Sequence, residues 1–496
     1  MSRARLIFLA AVFAILSCNR EEPQPQPDPA PTEISLSASS LVASHWGEDL
    51  SLTVSSPARP KVSGLPEWIR FGDGTYNNYS IVFTFTVQAN PSYESREAVI
   101  AIAADGVGSK TVTVSQAGKE KPAEPGTDTY GWENAASAAR NMGTGWNLGN
   151  TLDSNSGSVT NMWIEAWTSR STADYETAWG QPETTRELIH MFKEAGFGAI
   201  RVPVTWYPHI GTVTVSGANW DMGTWTGYDV DPVWMARVKE VVGYVLDEGL
   251  YCILNVHHDT GDASTAWLRA DAAVFESVKE RYGALWTQIA TEFESCGERL
   301  LFESFNEMLD AAGSWNSGSA QAHDVINRYN ALFVATVRAT GGNNLHRNLI
   351  LNTYGASPSA QALKDFTLPE DVVEHHLLVE VHSYSPYRFA FDNDNPQMTF
   401  DSACETEVKG IIETINTYLV SNGIPCVIGE YGCTSGRTEE ERARQAACYV
   451  SNAAKYDIAC FYWMTLSEGA DRSVPKWSTP VLKDAILKAY NENKNK

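Results

Sequence analysis

The chain has 496 residues, enough for a large enzyme domain and a smaller second domain but too many for one compact core. Its 37 Lys and Arg residues against 60 Asp and Glu give a formal net charge of −23, which argues against a nucleic-acid-binding surface. Hydrophobic residues make up 43% of the sequence, so wholesale disorder is excluded. We therefore predict a soluble, acidic, multidomain protein.

The N-terminus has the pattern of a secretory signal rather than of a transmembrane helix. Two arginines precede an apolar stretch, residues 6–16, that is too short to span a membrane. Residues 15–18 (ILSC) resemble a bacterial lipobox, in which the cysteine is lipidated, and residues 19–22 resemble the export tag of Bacteroidetes surface lipoproteins. A plain signal peptide with a chance cysteine is the alternative. These resemblances predict a lipoprotein signal peptide over 1–18 and an outer-membrane protein that is anchored through Cys18 and faces the cell surface.

A tether and a small domain are predicted next. Residues 19–31 are rich in proline, which fixes φ and removes hydrogen-bond donors, so we expect an extended tether. Residues 32–118 contain short alternating apolar and polar segments separated by Gly, Asn and Pro, which is typical of a small Ig-like β-sandwich. The segments that read as strands are Ser35–Ser37, Leu50–Val54, Ile81–Val87, Ala98–Ala103 and Lys110–Ser115.

Two stretches of this small domain resemble a known family. Residues 65–68 (LPEW) and 112–118 (VTVSQAG) are similar to the BACON domain of Bacteroidetes surface proteins. Trp68 is either a platform for a sugar ring or a core residue, and its apolar neighbours favour the core. We interpret the domain as a spacer, followed by a polar linker over 119–129.

The segment 130–496 alternates apolar β-branched runs with longer amphipathic stretches. Eight buried strands alternating with helices predict a (β/α)8 TIM barrel. An open doubly wound sheet is the rival, but no Gly-rich phosphate loop follows the first strand. The predicted strands are Gly143–Leu148, Gly198–Val202, Tyr251–His257, Leu300–Asn306, Asn348–Asn352, Leu377–His382, Pro425–Glu430 and Ile458–Trp463. The predicted helices include Thr184–Ala195, Asp231–Glu248, Phe275–Cys296, Ala322–Thr340 and Thr438–Tyr456.

Polar and aromatic residues follow nearly every predicted strand. In a barrel of this kind, functional groups gather at the carboxyl ends of the strands. Glu307 and Glu430 end the fourth and seventh strands, and such a pair suits a reaction that needs a proton donor and a nucleophile or base. A solvated surface carboxylate is the alternative for either one alone. The other candidates at the strand exits are Asn150, Arg201, His257, His258, Asn306, His382, Tyr384 and Trp463.

These motifs resemble glycoside hydrolase family 5, the family of cellulases and related β-glycanases. The resemblance implies that Glu307, preceded by Asn306, is the acid/base and that Glu430 is the nucleophile. The family's remaining active-site positions are then occupied by Arg201, His257, Asn306, His382, Tyr384 and Trp463. Residues 176–180 (ETAWG) look like the endoglucanase and xyloglucanase branch, whereas residues 461–468 lack the frequent Trp-Trp-Asp/Asn ending. The matching stretches are 145–150 (GWNLGN), 201–206 (RVPVTW), 255–259 (NVHHD), 302–307 (FESFNE), 381–384 (VHSY) and 428–432 (IGEYG).

Elementary chemistry agrees with these roles. Arg201 and Tyr384 can donate hydrogen bonds that keep Glu430 ionised, and Trp463 offers a flat face for a sugar ring. We expect a carboxyl separation of about 5–5.5 Å, which corresponds to retention of configuration. Metal catalysis is disfavoured because His257 and His258 should point to opposite faces of a strand and no HExxH helix occurs. Serine hydrolase chemistry is disfavoured because no GxSxG elbow occurs, so no cofactor or metal is predicted.

Loop tryptophans suggest an extended cleft. We predict that Trp179 and Trp206 lie near the glycone subsites, which favours endo action on a long chain. The predicted protein is a monomeric, retaining endo-β-1,4-glucanase of cellulose-like, mixed-linkage or xyloglucan chains. A β-mannanase and a noncatalytic glycan-binding lipoprotein are the alternatives. Seven cysteines besides Cys18 lack a disulfide spacing, although one unassigned bridge remains open.

Overall fold

The structure is a computed structural model that describes residues 30–119, 124–315, 317–463 and 470–494. The chain divides into two compact units, Met1–Lys119 and Glu120–Lys496. The predicted signal peptide, Cys18 and nearly all of the tether lie outside the described residues. Within the described ranges, no helix has the length and apolar character needed to cross a bilayer.

The N-terminal unit is a sandwich of two four-stranded sheets, ordered β1-β3-β6-β5 and β2-β8-β7-β4. Alternate residues of its long strands, such as Phe83, Phe85, Ile100 and Ile102, are fully buried between the sheets. Trp68 is half-buried against this core, and the Arg96 guanidinium lies 4.4 Å from its ring centroid. The predicted β-sandwich is therefore confirmed. Its strands are β1 (Ser35–Leu36), β2 (Ser40–Ala43), β3 (Asp49–Ser55), β4 (Lys61–Ser63), β5 (Ile69–Gly72), β6 (Ser80–Val87), β7 (Arg96–Ala104) and β8 (Gly108–Gln116).

The second unit contains a closed barrel of eight parallel strands, which confirms the predicted TIM barrel. Nearly every strand residue is buried, because one face lines the barrel interior and the other is covered by helices. The barrel strands are β9 (Thr144–Asn147), β10 (Ala199–Val202), β13 (Tyr251–Asn255), β14 (Leu300–Glu303), β15 (Leu349–Asn352), β16 (Leu377–His382), β17 (Cys426–Tyr431) and β18 (Ala459–Trp463). Two antiparallel pairs complete the strands: β11 (Ile210–Ser216) with β12 (Asn219–Val230), and β19 (Ala470–Asp471) with β20 (Lys476–Trp477).

The helices between the strands begin at polar caps. Asp231 accepts from the backbone N–H of Val233 at the start of one helix, and Thr438 accepts from Glu441 at the start of another. The helices are α1 (Ala135–Met142), α2 (Trp163–Trp167), α3 (Thr172–Glu176), α4 (Arg186–Ala195), α5 (Pro232–Asp247), α6 (Ala272–Glu292), α7 (Ala320–Ala339), α8 (Ala360–Asp365), α9 (Tyr387–Ala390), α10 (Ser402–Tyr418), α11 (Glu439–Ala453) and α12 (Pro480–Asn493).

The tryptophans near the second barrel strand are mainly packing residues. Trp206, predicted near the glycone subsites, is fully buried and donates its indole N–H to the carbonyl of Asn255 at 3.0 Å, so its ring is not exposed for contact with a sugar. Trp220 and Trp225 are also buried, on the β11–β12 hairpin, where the sequence predicted a long loop. None of the seven cysteines of the described residues takes part in a disulfide, so the bridge that the sequence left open does not form among them.

Candidate active site

Arg201, on β10, is the centre of a buried polar group at the carboxyl ends of the barrel strands. It is inaccessible to solvent, and its Nε donates to Glu303 Oε2 at 2.7 Å while Nη2 donates to Glu303 Oε1 at 2.8 Å. Nη1 donates to Glu430 Oε1 at 2.8 Å. Nη1 also donates to Asn147 Oδ1 and Nη2 to Asn306 Oδ1, both at 2.9 Å. Burial opposes the charge, but the surrounding carboxylates hold the pKa of Arg201 well above its usual value, so this cation is permanent.

Glu430, on β17, is held as an acceptor at the edge of this group. Besides the Arg201 contact, its Oε2 accepts from the Tyr384 hydroxyl at 2.7 Å. Burial raises the pKa of Glu430 above its ordinary value, whereas the positive charges of His382 and Arg201 and the Tyr384 hydrogen bond act to lower it. Burial and the nearby carboxylates also raise the pKa of Tyr384, so the phenol stays protonated and remains a donor. A buried carboxylate that two protein donors hold in a fixed orientation is positioned to act as a nucleophile.

Glu307, four residues beyond β14, has a more open environment. Its side chain is 23% exposed, and Oε1 accepts from His382 Nδ1 at 2.8 Å. His382 Nε2 lies 2.8 Å from Glu380 Oε1, and Nδ1 lies 3.6 Å from Glu430 Oε2. Burial on its own lowers the pKa of His382, but Glu430, Glu307 and Glu380 together raise it to about 10. Because each ring nitrogen faces a carboxylate, the ring carries both protons as an imidazolium.

His257 lies beside Glu430 as a neutral ring. Its Nδ1 is 3.1 Å from Asn255 Nδ2, which also donates to Glu303 Oε1 at 2.9 Å. That orientation of the amide makes His257 Nδ1 an acceptor and assigns the proton to Nε2, which lies 4.0 Å from Glu430 Oε1. Burial lowers the pKa of His257 well below its usual value. The Trp463 ring is nearly parallel to it, with a centroid separation of 5.7 Å and an interplanar angle of 7°.

His258, Trp179 and Asn150 form a second group beside the first. The His258 and Trp179 ring centroids are 5.3 Å apart, and the Trp179 indole N–H donates to the carbonyl of Asn155 at 3.0 Å. His258 Nε2 lies 3.8 Å from Asp153 Oδ2, which also accepts the backbone N–H of Asn150 at 3.0 Å. Asn150 has a φ of +62°, a conformation that asparagine tolerates better than most residues. The structure therefore brings all the predicted residues to one end of the barrel.

Among the residues that the structure describes, two sets of side chains have ligand atoms close enough for a cation: Asp153 with His257 and His258, and Glu307 with His382 and Glu430. The expectation that the two adjacent histidines point to opposite faces is wrong. The strand ends at Asn255, and the two rings that follow are 4.5 Å apart. In the second set the doubly protonated His382 has no lone pair for a metal. The Asp153 carboxylate of the first set already accepts two backbone N–H groups.

Known proteins support the same assignment of the fold. A family model described as cellulase (glycosyl hydrolase family 5) matches residues 159–469. The chain belongs to glycosyl hydrolase family 5. A second model, the BACON putative binding domain, matches residues 61–117, so the resemblances to family 5 and to the BACON domain are confirmed.

Individual members of family 5 are similar over most of the chain. Endoglucanase A of Clostridium longisporum is 35% identical over 373 residues, which is 72% of this chain and 66% of that protein, so the match spans just under two thirds of the relative. A family 5 enzyme from Prevotella bryantii B14, solved with a xyloglucan tetradecasaccharide, is 41% identical with a TM-score of 0.64 and covers 73% of this chain and 99% of its own. A Bacteroides ovatus family 5 xyloglucanase, solved with a heptasaccharide, is 26% identical with a TM-score of 0.63 and covers 92% and 100%.

The sequence missed four members of this family 5 site: Asp153, Asn255, Glu303 and Glu380. The two glutamates lie within barrel strands whose other residues are almost all apolar, and both are fully buried. A carboxylate in such a strand requires a charged or hydrogen-bonding partner, because an unpaired buried charge is strongly destabilising. An isolated glutamate within an apolar strand was therefore the sequence signal that could have identified these two residues as members of the site.

Proposed function

We propose that the protein is a retaining endo-β-1,4-glucanase that hydrolyses internal bonds of a plant-type β-glucan. The observation that carries the proposal is the spacing of two unlike carboxyl groups. A carboxylate oxygen of Glu307 and one of Glu430 lie within 4.8 Å of each other, with His382 beside both. This spacing supports retention, for which carboxyl groups are about 5–5.5 Å apart, over inversion, which needs about 6.5–9.5 Å to admit a water molecule.

In the first step, Glu430 attacks the anomeric carbon and a bond to the sugar forms as the glycosidic bond breaks. Glu307 gives its proton to the departing oxygen. Asn306 accepts from Arg201 through Oδ1, which leaves its Nδ2 group as a donor for the 2-hydroxyl of the sugar. His257 offers its Nε2 proton on the same side as Glu430.

In the second step, water attacks the glycosyl ester and gives a proton to Glu307, and Glu430 leaves as a carboxylate. Glycosylation has by then removed the negative charge of Glu430, so the charged His382 is the nearest ion to Glu307 and favours its ionised form. The same side chain therefore acts first as an acid and then as a base.

The substrate class follows from the aromatic residues and the relatives. Trp463 and Trp179 present rings beside the two histidines, and Trp167 on α2 is 74% exposed, as expected for a cleft that binds sugar rings along a chain. The Prevotella and Bacteroides structures contain xyloglucan fragments, which favours xyloglucan among β-glucans.

We further propose that a lipid on Cys18 anchors the enzyme at the outer membrane.

The test is a comparison of substrates with the purified protein. We expect release of reducing ends from xyloglucan, mixed-linkage β-glucan and carboxymethylcellulose, with a rapid early loss of viscosity that marks endo cleavage. The control is Glu430→Gln, which should be inactive on all three. Activity on β-mannan alone would refute the substrate class, and loss of single terminal sugars without a fall in viscosity would refute endo action.

A further inference from the structure

Glu380, on β16, has no part in the two steps above, yet it is fully buried between the ions of the site. Its Oε1 accepts from His382 Nε2 at 2.8 Å and lies 3.1 Å from Arg201 Nη2. Its Oε2 has no hydrogen-bond donor among the residues that the structure describes. Burial of a carboxylate costs free energy unless both of its oxygens are paired or hydrogen-bonded, so the position of Glu380 needs an explanation.

The neighbouring strand makes room for this carboxylate. A Cβ atom on Gly429, the residue before Glu430, would lie 1.9 Å from Glu380 Oε1 and 2.2 Å from its carboxyl carbon. Only glycine therefore fits beside the side chain. The Glu380 carboxylate is thus packed directly against the backbone at Gly429, next to the candidate nucleophile Glu430.

Glu303 is a second buried carboxyl group next to Glu380. The carboxyl groups of Glu303 and Glu380 are both fully buried and meet at one nitrogen, because Arg201 Nη2 lies 2.8 Å from Glu303 Oε1 and 3.1 Å from Glu380 Oε1. Two buried carboxylates this close to one guanidinium nitrogen repel each other, and this repulsion favours a proton on one of the two groups. Burial raises the pKa of Glu303 to about 8, whereas the pKa of Glu380 is lowered because Arg201 and the hydrogen bond from His382 outweigh its burial.

A proton on the Glu303–Glu380 pair balances the charges of the site. Two cations, the Arg201 guanidinium and the His382 imidazolium, are in contact with four carboxyl groups, those of Glu303, Glu307, Glu380 and Glu430. With one proton between Glu303 and Glu380 and one on Glu307, two negative charges face two positive ones. Without the shared proton, a net negative charge would be buried at the base of the barrel mouth.

We propose that Glu380 is a positioning residue that holds His382 as an imidazolium directed at Glu307, with Glu303 completing the group by sharing one proton with Glu380. The proposal rests on the acid/base role proposed above for Glu307. His382 faces Glu307 and Glu430 on one side and Glu380 on the other; the neutral His257 is a further neighbour, and Arg201 is the permanent cation on the far side of Glu380. Through the ring, the charge of Glu380 favours the ionised form of Glu307 when that group acts as the base.

The first test is a measurement on the unmodified protein. Protein labelled with ¹⁵N-histidine contains ten histidines, and the His382 signals are identified by their loss in His382→Asn. We expect both ring nitrogens of His382 to remain protonated from pH 6 to pH 8, whereas exposed histidines lose a proton near their ordinary pKa of about 6.5. A neutral His382 at pH 7 would overturn the proposal, and this result does not depend on any substrate.

The second test uses Glu380→Gln, which keeps the shape of the side chain and removes its charge. Loss of an opposite charge in direct contact is expected to lower the pKa of His382 by roughly 1–3 units. With its pKa lowered from about 10 to roughly 7–9, His382 loses its charge on the alkaline side of the pH profile, so the alkaline limb, and with it the pH optimum, for an aryl cellobioside should move to higher pH. The matched control is Glu133→Gln, a buried glutamate that bonds Tyr251 and Asn141 away from the site and should leave both measurements unchanged.

The outcomes separate this proposal from the proposed function. An unshifted His382 titration and an unshifted pH optimum in folded Glu380→Gln would refute the positioning role. If this variant does not fold, the titration of His382 in the unmodified protein decides the question. A charged His382 in a protein that cleaves no β-glucan would support the charge arrangement while refuting the proposed activity.

Discussion

Replacing Glu307 by alanine should separate the two steps of the reaction. The side chain is 23% exposed and its hydrogen bond is to His382, so its loss opens a solvent-accessible space beside Glu430 with little loss of packing. General acid–base catalysis contributes about 10²–10⁴-fold, which corresponds to about 2.7–5.4 kcal/mol of activation free energy. We expect turnover of polysaccharide to fall by that factor. An aryl glycoside with a good leaving group needs little protonation, so its first step should survive and the glycosyl-enzyme should accumulate.

Azide provides the assay, because it attacks the glycosyl-enzyme without a general base and fits the space left by the carboxyl group. Added azide should restore turnover of the aryl glycoside by Glu307→Ala and yield a β-glycosyl azide, which proton NMR identifies. Glu430→Gln is the control and should show neither a burst nor rescue, because no other group is placed to attack the anomeric carbon. Rescue of Glu430→Gln but not of Glu307→Ala, or an α-anomeric first product from the unmodified enzyme, would refute the assigned roles.

Four further outcomes are expected. Arg201→Met should lower the free energy of unfolding in urea by about 3–5 kcal/mol, because it leaves buried carboxylates without their cation; an unchanged midpoint would contradict this. The folded-state pKa of His382, about 10 despite burial, exceeds its unfolded value of about 6.5, so its contribution to stability is complete below pH 6.5 and is lost as pH rises through 10. Urea unfolding should accordingly show a steeper loss over that range than in His382→Asn. Cys18→Ala should release the protein from membranes, and a mutant that still partitions into detergent at normal yield would exclude the lipid anchor. Deletion of 32–118 should leave kinetics on soluble glucan unchanged, whereas weaker binding to insoluble glucan would reveal a binding role for that domain.

The barrel could be predicted because its strands are short apolar runs and its helices are amphipathic with polar caps. The β11–β12 hairpin could not be predicted in the same way. Its strands are largely exposed and contain Gly211 and Gly227, each at positive φ, so their composition resembles that of a loop. Strand ends were also placed too late. The third barrel strand stops at Asn255 instead of His257, which is why the two histidines share one side.

The candidate site was predicted only where a local motif carries it. Asn306-Glu307 and Gly429-Glu430 stand out along the chain, but the contacts of Arg201 join residues 102 and 229 positions apart. Such contacts depend on which strands face each other across the barrel, and no local pattern specifies that. Glu303 and Glu380 were missed for this reason, since their partners come from other strands.

The division of labour between strands and loops has a consequence for how such an enzyme can change. The buried ions are attached to strands whose positions are fixed by the closed barrel, whereas three tryptophans lie on the connection after the first strand, at Trp163, Trp167 and Trp179. Exchange of residues 156–180 for a segment of different length should therefore alter which polysaccharide is accepted while the bond-breaking machinery stays intact. The preference for a polysaccharide can therefore change while the bond-breaking reaction stays the same, because the two depend on different parts of the backbone.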